Sequence, residues 1–222
     1  MMLNLYLFRH GESEYNKNYG TVIGGRSNEV PLSERGVAQA RALGLRLARE
    51  GLIFDEVYSS TAVRTRETAR ITLGEMDLAN HVEEAEELLE LSQGDWEGES
   101  RAKHYTSRVY EEMRERPYEF CAPRGESQRD VEQRSLGWIE QKLMGREEDL
   151  TVAIFGHGMT TKCILRGILN SDPSLTYRIG IDNCSITQLR YVDLEPHKGW
   201  AVVKINDHSH LRDVGVIPNL YG

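Results

Sequence analysis

Apolar positions in this chain alternate between short continuous runs and helical stripes. Residues 4–8 (NLYLF) form an apolar run that ends at charged residues, which predicts a buried strand whose carboxyl end opens into a loop. Ser33 has the character of an N-cap. After it Val37, Ala40, Gly44 and Leu47 recur at helical spacing until Gly51 offers a stop, so a helix of roughly four turns is predicted. Residues 53–58 predict the next strand, and Ser60 or Thr61 can cap a second helix running to about Leu73. A third helix is signalled from Ser127, where Asp130 makes a capping-box-like start and Val131, Trp138, Ile139 and Leu143 form the apolar stripe. Residues 151–155 (TVAIF) predict a β-branched, apolar strand, followed directly by Gly156-His157-Gly158 and a helical segment over 159–169. Residues 186–192 and 200–205 read as extra or edge strands.

Strands alternating with helices predict an α/β fold, a three-layer α/β/α sandwich with a mostly parallel central sheet and ligands at the carboxyl ends of its strands. The chain carries no repeat, no low-complexity tract and no proline-rich linker, so its 222 residues read as one domain over 1–222. With 39% hydrophobic and 28% charged residues, disorder is excluded for most of it.

Charge and cysteine usage narrow the function. A formal net charge of −8, from 35 acidic against 27 basic residues, argues against general attraction to nucleic acid or anionic lipid. No window approaches eighteen consecutive apolar residues, and the first eight residues lack a basic leader, so a cytoplasmic protein is expected. Cys121, Cys163 and Cys184 are odd in number and widely spaced, which fits reduced thiols better than a disulfide framework or a zinc site. His208 and His210 invite a metal reading, but with only Asp207 and Asp213 as nearby carboxylates they are taken as surface residues, and no metal or cofactor is expected.

The charged residues fall where a parallel sheet would gather them. Arg9 and His10 follow the first strand, Arg64 opens the helix after the second, and His157 follows TVAIF. All are carboxyl ends of strands, so two arginines and two histidines converge on one pocket. Such a cluster suits a phosphoryl group, because guanidinium forks bind its oxygens bidentately and helix N-termini, near Arg64 and Gly158, add backbone donors. A neutral histidine can attack phosphorus through a ring nitrogen once cations neutralise the oxygens. Each residue also has a plainer reading: His157 as a turn or core histidine, and Arg64 as a partner of Glu67 on its own helix.

Arg9-His10-Gly11-Glu12-Ser13 with Asn16 resembles the signature of the histidine phosphatase superfamily, in its phosphoglycerate mutase-like branch. The remaining blocks follow in order. They are Pro31-Leu32-Ser33 with Gly36, Ser59-Ser60 with Arg64 and Thr68-Ala69, Glu90 with Gly94-Asp95-Trp96-Glu97-Gly98, Gly125-Glu126-Ser127 and Gly156-His157-Gly158, so that the resemblance spans residues 4–193. It implies that His10 is the nucleophile and becomes a phosphohistidine, that Arg9, Arg64 and His157 bind the phosphoryl oxygens, and that Asn16 is a further phosphate-pocket position, beside the backbone donors expected at Gly158. It also implies that Glu90 protonates the leaving oxygen and later activates water. Glu86 and Glu87 compete for that role, although the run of glutamates around them reads more simply as a solvated face. Glu12 either orients a site residue or supports the turn.

Two departures bear on substrate: Tyr15 stands where tryptophan is frequent, and residues 19–28 are glycine-rich and slightly long. Arg26, in that stretch, either reaches a substrate anion or is a solvated turn residue. Residues 99–126 are the expected lid, where Arg101, Arg108, Arg114 and Arg124 interleave with Tyr105, Tyr110 and Phe120. Its arginines either clamp an anionic substrate or pair with Glu111, Glu112 and Glu115 along an exposed helix, the simpler reading for most of them.

Water as phosphoryl acceptor gives a phosphatase; a returning hydroxyl gives a mutase. Cofactor-dependent mutases of this family typically carry a long insertion between the matched Glu and the second His, whereas here the interval is 67 positions. The expectation is therefore a metal-independent phosphatase acting on a small organic phosphomonoester, as a monomer or homodimer. A cofactor-dependent phosphoglycerate mutase is the runner-up, and a non-catalytic phosphate-binding or scaffold protein is the alternative of another class.

Overall fold

The computed structural model of the chain describes residues 1–17, 20–78, 81–212 and 214. Tyr19 of the glycine-rich stretch, Asp213 and residues 215–222 of the tail lie outside the described residues. Six strands, β1 (Met2–Arg9), β2 (Glu56–Ser59), β3 (Val82–Glu84), β4 (Leu150–Gly156), β5 (Ile186–Val192) and β6 (Gly199–Asp207), form one sheet in the order β3-β2-β4-β1-β5-β6. The first four pair in parallel; β5 and β6 are antiparallel.

The period of two along a strand explains the layers. On β1, Leu3, Leu5 and Leu7 face one way and join Val152 and Ile154 of β4 in one core cluster. Tyr6 and Phe8 face the other way, with Ala153 and Phe155. The first cluster is closed by Ile139 and Leu143 of α6 (Gln128–Leu143) and by Ile164 and Leu165 of α7 (Gly158–Leu169). The second is closed by Leu43 and Leu47 of α2 (Glu34–Arg49), which follows the short α1 (Glu14–Lys17), and by Ala69 and Leu73 of α3 (Val63–Glu75). Because both faces are covered, both sets of β1 side chains are apolar, each fully buried Leu or Phe contributing roughly 1.5–3 kcal/mol. The result is the predicted α/β/α sandwich with a mostly parallel sheet.

Local signals were obeyed where the tertiary structure left them free. The Ser33 side chain caps α2 by accepting from the Gly36 amide, Gly51 follows its end at φ +64°, and Ser127 and Asp130 form a reciprocal capping box. A Cβ on Gly44 would lie 2.5 Å from the Thr72 carbonyl oxygen, so this glycine lets α2 and α3 approach backbone to backbone.

Two expectations need correction. The second strand starts at Glu56 rather than at residue 53, because the pairing with β4 begins where Glu56 meets Val152; Ile53 is 71% exposed. The N-cap of α3 is Ala62, without a side-chain cap, because the Ser60 hydroxyl is engaged by Thr65 and His157 instead. The two late segments are the extra and edge strands expected: β5 lies between β1 and β6, and β6 is the edge. Of the acidic run, Glu83 and Glu84 extend the sheet as β3 while Glu86 and Glu87 form a 3-10 turn, and all four are exposed as expected.

Candidate active site

Parallel pairing of β1 with β4 and of β4 with β2 sets Arg9 opposite Gly156 and Ser59 opposite Phe155. The three carboxyl ends therefore share one edge, and the loops that leave them carry His10, Arg64 and His157. Arg9, His10, Asn16, Arg64 and Glu90 line a cavity of about 730 Å³ at this edge.

The His10 ring is held in one tautomer by its neighbours. Its Nδ1 lies 2.6 Å from the Gly11 carbonyl, which only accepts, so Nδ1 carries the proton. Arg64 Nε donates to Nε2 at 3.3 Å, so Nε2 carries the lone pair. Burial, with Arg64 and Arg9 close by, drives the affinity of this imidazole for a second proton well below the ordinary value. The consequence is a neutral nitrogen nucleophile surrounded by fixed positive charge, an arrangement suited to attack on an anionic phosphoryl group.

Arg64 does not pair with Glu67, whose carboxylate accepts from the Leu32 amide. Its Nη1 instead donates to the carbonyls of Arg26 and Ser27, both at 2.9 Å, and its Nη2 to that of Gly25 at 3.2 Å and to His157 Nδ1 at 3.2 Å. Burial lowers its pKa to about 10, which leaves it cationic at neutral pH. Arg9 donates to the Ile181 carbonyl at 2.5 Å. His157 is fully buried behind Arg64 rather than on the cavity wall, with Nε2 2.7 Å from Ser60 Oγ and its ring centroid 5.3 Å from that of His10. Burial, reinforced by Arg64 and His10, keeps it neutral too. Gly158 lies beside Arg9: a Cβ there would sit 3.4 Å from Arg9 Nε.

Glu90, two residues beyond the 3-10 turn Glu86–Leu88, lines the cavity with this group and reaches the start of α7. Its carboxylate accepts the backbone amides of Met159 and Thr160, both at 3.1 Å, so the helix N-terminus holds it in place. Glu86 and Glu87 are exposed and do not line the cavity. Glu12 accepts from Ser33 Oγ at 2.6 Å and from Arg35, so it supports the turn after β1.

Several residues with no assigned role complete the frame. Glu97 accepts the amides of Arg26, Ser27 and Gln93, tying the loop that holds Arg64 to the segment after Glu90. Glu126 pairs with Arg26 and Arg134, and Arg134 donates to the Glu90 carbonyl at 3.2 Å. Glu97 and Glu126 stood inside recognisable motifs, but nothing in the sequence connected them to Arg134. Arg26 is thus a cross-link to Glu126, made by a partly exposed side chain at the bend.

The expected lid contains α4 (Arg101–His104) and α5 (Ser107–Glu115), and Arg101, Tyr105, Tyr110, Met113, Arg114 and Phe120 line the cavity. Arg108 pairs with Glu112, as the exposed-helix reading expects, while Arg101 lies 4.2 Å over the Tyr105 ring. Outside the site, His208 pairs with Asp182, and His210 is drawn partly inward onto the Cys184 carbonyl. No described helix is long and apolar enough to cross a membrane.

Comparison with known proteins agrees with this geometry. A 2,3-bisphosphoglycerate-dependent phosphoglycerate mutase of Azorhizobium caulinodans is 34% identical over 197 residues, which cover 80% of this chain and 93% of that one. Phosphoserine phosphatase 1 of Hydrogenobacter thermophilus is 29% identical over 215 residues, 95% of each chain. Among solved structures, Bacillus stearothermophilus YhfR superposes with a TM-score of 0.81 at 27% identity, covering 94% of this chain and 99% of its own. The family described as histidine phosphatase superfamily (branch 1) matches residues 5–208, and with this match, the fold and the clustered Arg9, His10, Arg64 and His157, the chain belongs to the histidine phosphatase superfamily and is an enzyme of its phosphatase and mutase chemistry.

Proposed function

We propose that this enzyme is a metal-independent phosphatase, one domain with a lid at 99–126, that hydrolyses a small organic phosphomonoester through a phosphohistidine on His10. The observation that carries the reading is the fixed, unprotonated His10 Nε2 beside the Arg64 guanidinium. Nε2 attacks phosphorus while the ester P–O bond breaks, and Glu90 gives its proton to the departing oxygen. Water then attacks the phosphohistidine, Glu90 takes the water proton, and the P–N bond breaks to release phosphate. Arg9, Arg64 and Asn16 hold the non-bridging oxygens, His157 completes the cluster behind Arg64, and the Gly158 position lets Arg9 lie close to the α7 terminus.

The mutase reading is favoured by one observation: the relative of Azorhizobium caulinodans carries that name although the alignment covers 93% of its length, so a short chain does not oppose it. The cavity supports hydrolysis. Beyond the phosphoryl group it is lined by Val22, Ile23, Tyr110, Met113 and Phe120, and of its lid cations Arg101 is already stacked on Tyr105. Phosphate release from a panel of monoesters in chelator, with His10→Ala as control and 3-phosphoglycerate plus its bisphosphate included, separates the readings. Release that His10→Ala abolishes supports the phosphatase. Interconversion of phosphoglycerates without release supports the mutase, and neither activity supports a binding protein.

Glu90→Gln should slow alkyl phosphates by roughly 10²–10⁴-fold and aryl phosphates far less, because only the poor leaving group needs full protonation. Equal losses on both, read as kcat, would remove Glu90 from the acid role.

Both imidazoles should remain neutral to well below pH 6.5. Since the unfolded chain binds these protons first, their contribution to stability is complete above about pH 6.5 and is lost as the pH falls towards their folded values. An NMR titration checks this; a midpoint at or above pH 6.5 for His10 would contradict the neutral nucleophile.

A further inference from the structure

We infer that Asn183 is a positioning residue for phosphoryl transfer, fixing which way the Asn16 amide faces. The inference rests on the proposed phosphate-binding role of Asn16. The relevant group is Asn16 Oδ1, which accepts from the Ser13 amide at 3.0 Å, from Ser13 Oγ at 3.2 Å and from Asn183 Nδ2 at 3.3 Å. An amide oxygen that meets three donors cannot exchange places with its NH₂ group without setting donor against donor. The Asn16 Nδ2 donors are therefore directed away from this corner, and Asn16 itself lines the cavity beside His10.

The second donor of Asn183 Nδ2 goes to the His10 carbonyl at 2.9 Å. One amide group thus links the backbone of the nucleophile to the side chain of the phosphate ligand. Its own position is well determined. Cys184 holds a left-handed φ of 53°, unusual for a residue other than glycine or asparagine, and its amide donates to the Arg9 carbonyl at 3.0 Å. On the preceding side, the Ile181 carbonyl receives Arg9 Nη1 and the Asp182 amide donates to Asn206 Oδ1 at 2.6 Å. The loop before β5 is therefore bonded to Arg9, His10 and Asn16 together, and the Asn183 side chain reaches two of them.

The test compares Asn183→Ala, the near-isosteric Asn183→Asp, Asn16→Ala and the double variant Asn16→Ala/Asn183→Ala. Inhibition by inorganic phosphate is read alongside kcat, KM and the thermal midpoint. Both Asn183 variants should weaken phosphate inhibition and lower kcat/KM by roughly 10- to 100-fold, the scale expected when a site group is misplaced by about 1 Å. Asn183→Asp keeps the shape of the side chain, so its loss is not explained by a hole in the fold. In the Asn16→Ala background the phosphate inhibition constant should change by less than about twofold on adding Asn183→Ala, since no amide is left to orient. Independent, multiplying losses in affinity would overturn the inference, as would a lowered midpoint with phosphate affinity unchanged in both single variants. If Asn16→Ala itself binds phosphate normally, the proposed role of Asn16 fails first and the inference falls with it.

Discussion

His10→Ala should lose at least about 10⁴-fold in turnover and retain no covalently bound phosphate, the largest effect of any single substitution. Side chains that act as one unit in covalent catalysis do not share the loss; removing the nucleophile removes the pathway. Here Nε2 is the atom left with a lone pair because Nδ1 keeps its proton and donates it to the Gly11 carbonyl, and no other neutral nucleophile stands beside Arg64 with the same access to the cavity among the described residues. Rapid-quench samples of the native enzyme should contain phosphate that is labile in acid and stable in base, and the variant should contain none. Turnover by His10→Ala within tenfold of native would mean that water attacks the ester directly and that the cluster serves only to bind.

Arg64→Ala should lower kcat/KM by roughly 10²–10³-fold, or about 3–4 kcal/mol, through loss of charge stabilisation in the transition state. It should weaken inhibition by inorganic phosphate as well. The residue also organises its surroundings: it donates to His10, His157 and the carbonyls of Gly25, Arg26 and Ser27. Lysine, a point charge on a flexible stem, cannot reach these in one geometry, so Arg64→Lys should recover little of the rate. Kinetics of both variants on an aryl phosphate, where proton donation matters least, isolate the effect. A rate unchanged in Arg64→Ala would show that the phosphoryl group binds elsewhere in the cavity.

How readily each part of this protein can be read from its residues depends on the range of the interactions that place it. The capping box at Ser127 and the cap at Ser33 involve partners three residues away, so local chemistry decides them. Ser60 has the same local aptitude for capping, yet its hydroxyl meets His157, 97 positions distant, and the helix begins uncapped at Ala62. Local propensity gave way there to a buried imidazole that needed a partner. The candidate site follows the same rule. Arg9, His10, Arg64 and His157 were legible because parallel strands bring their carboxyl ends to one edge. Glu90 was legible only through the motif around Trp96; the structure separates it from Glu86 and Glu87 by placing its carboxylate on the α7 amides.

By itself, the sequence determined the layer order, the parallel core of the sheet and the membership of the cluster Arg9, His10, Arg64 and His157, since apolar periodicity and residues at strand ends are local properties. Only the tertiary structure decided what holds that cluster. Because β5 runs antiparallel to β1, with Ile186 opposite Phe8, it brings its amino end to the edge where the parallel strands bring their carboxyl ends. Asn183 reaches Asn16 and the His10 carbonyl for that reason alone, while Arg134 and Glu126 support Glu90 through contacts between helix and loop. Strand direction and the packing of α6 are set by the whole core, and no short stretch of residues encodes them.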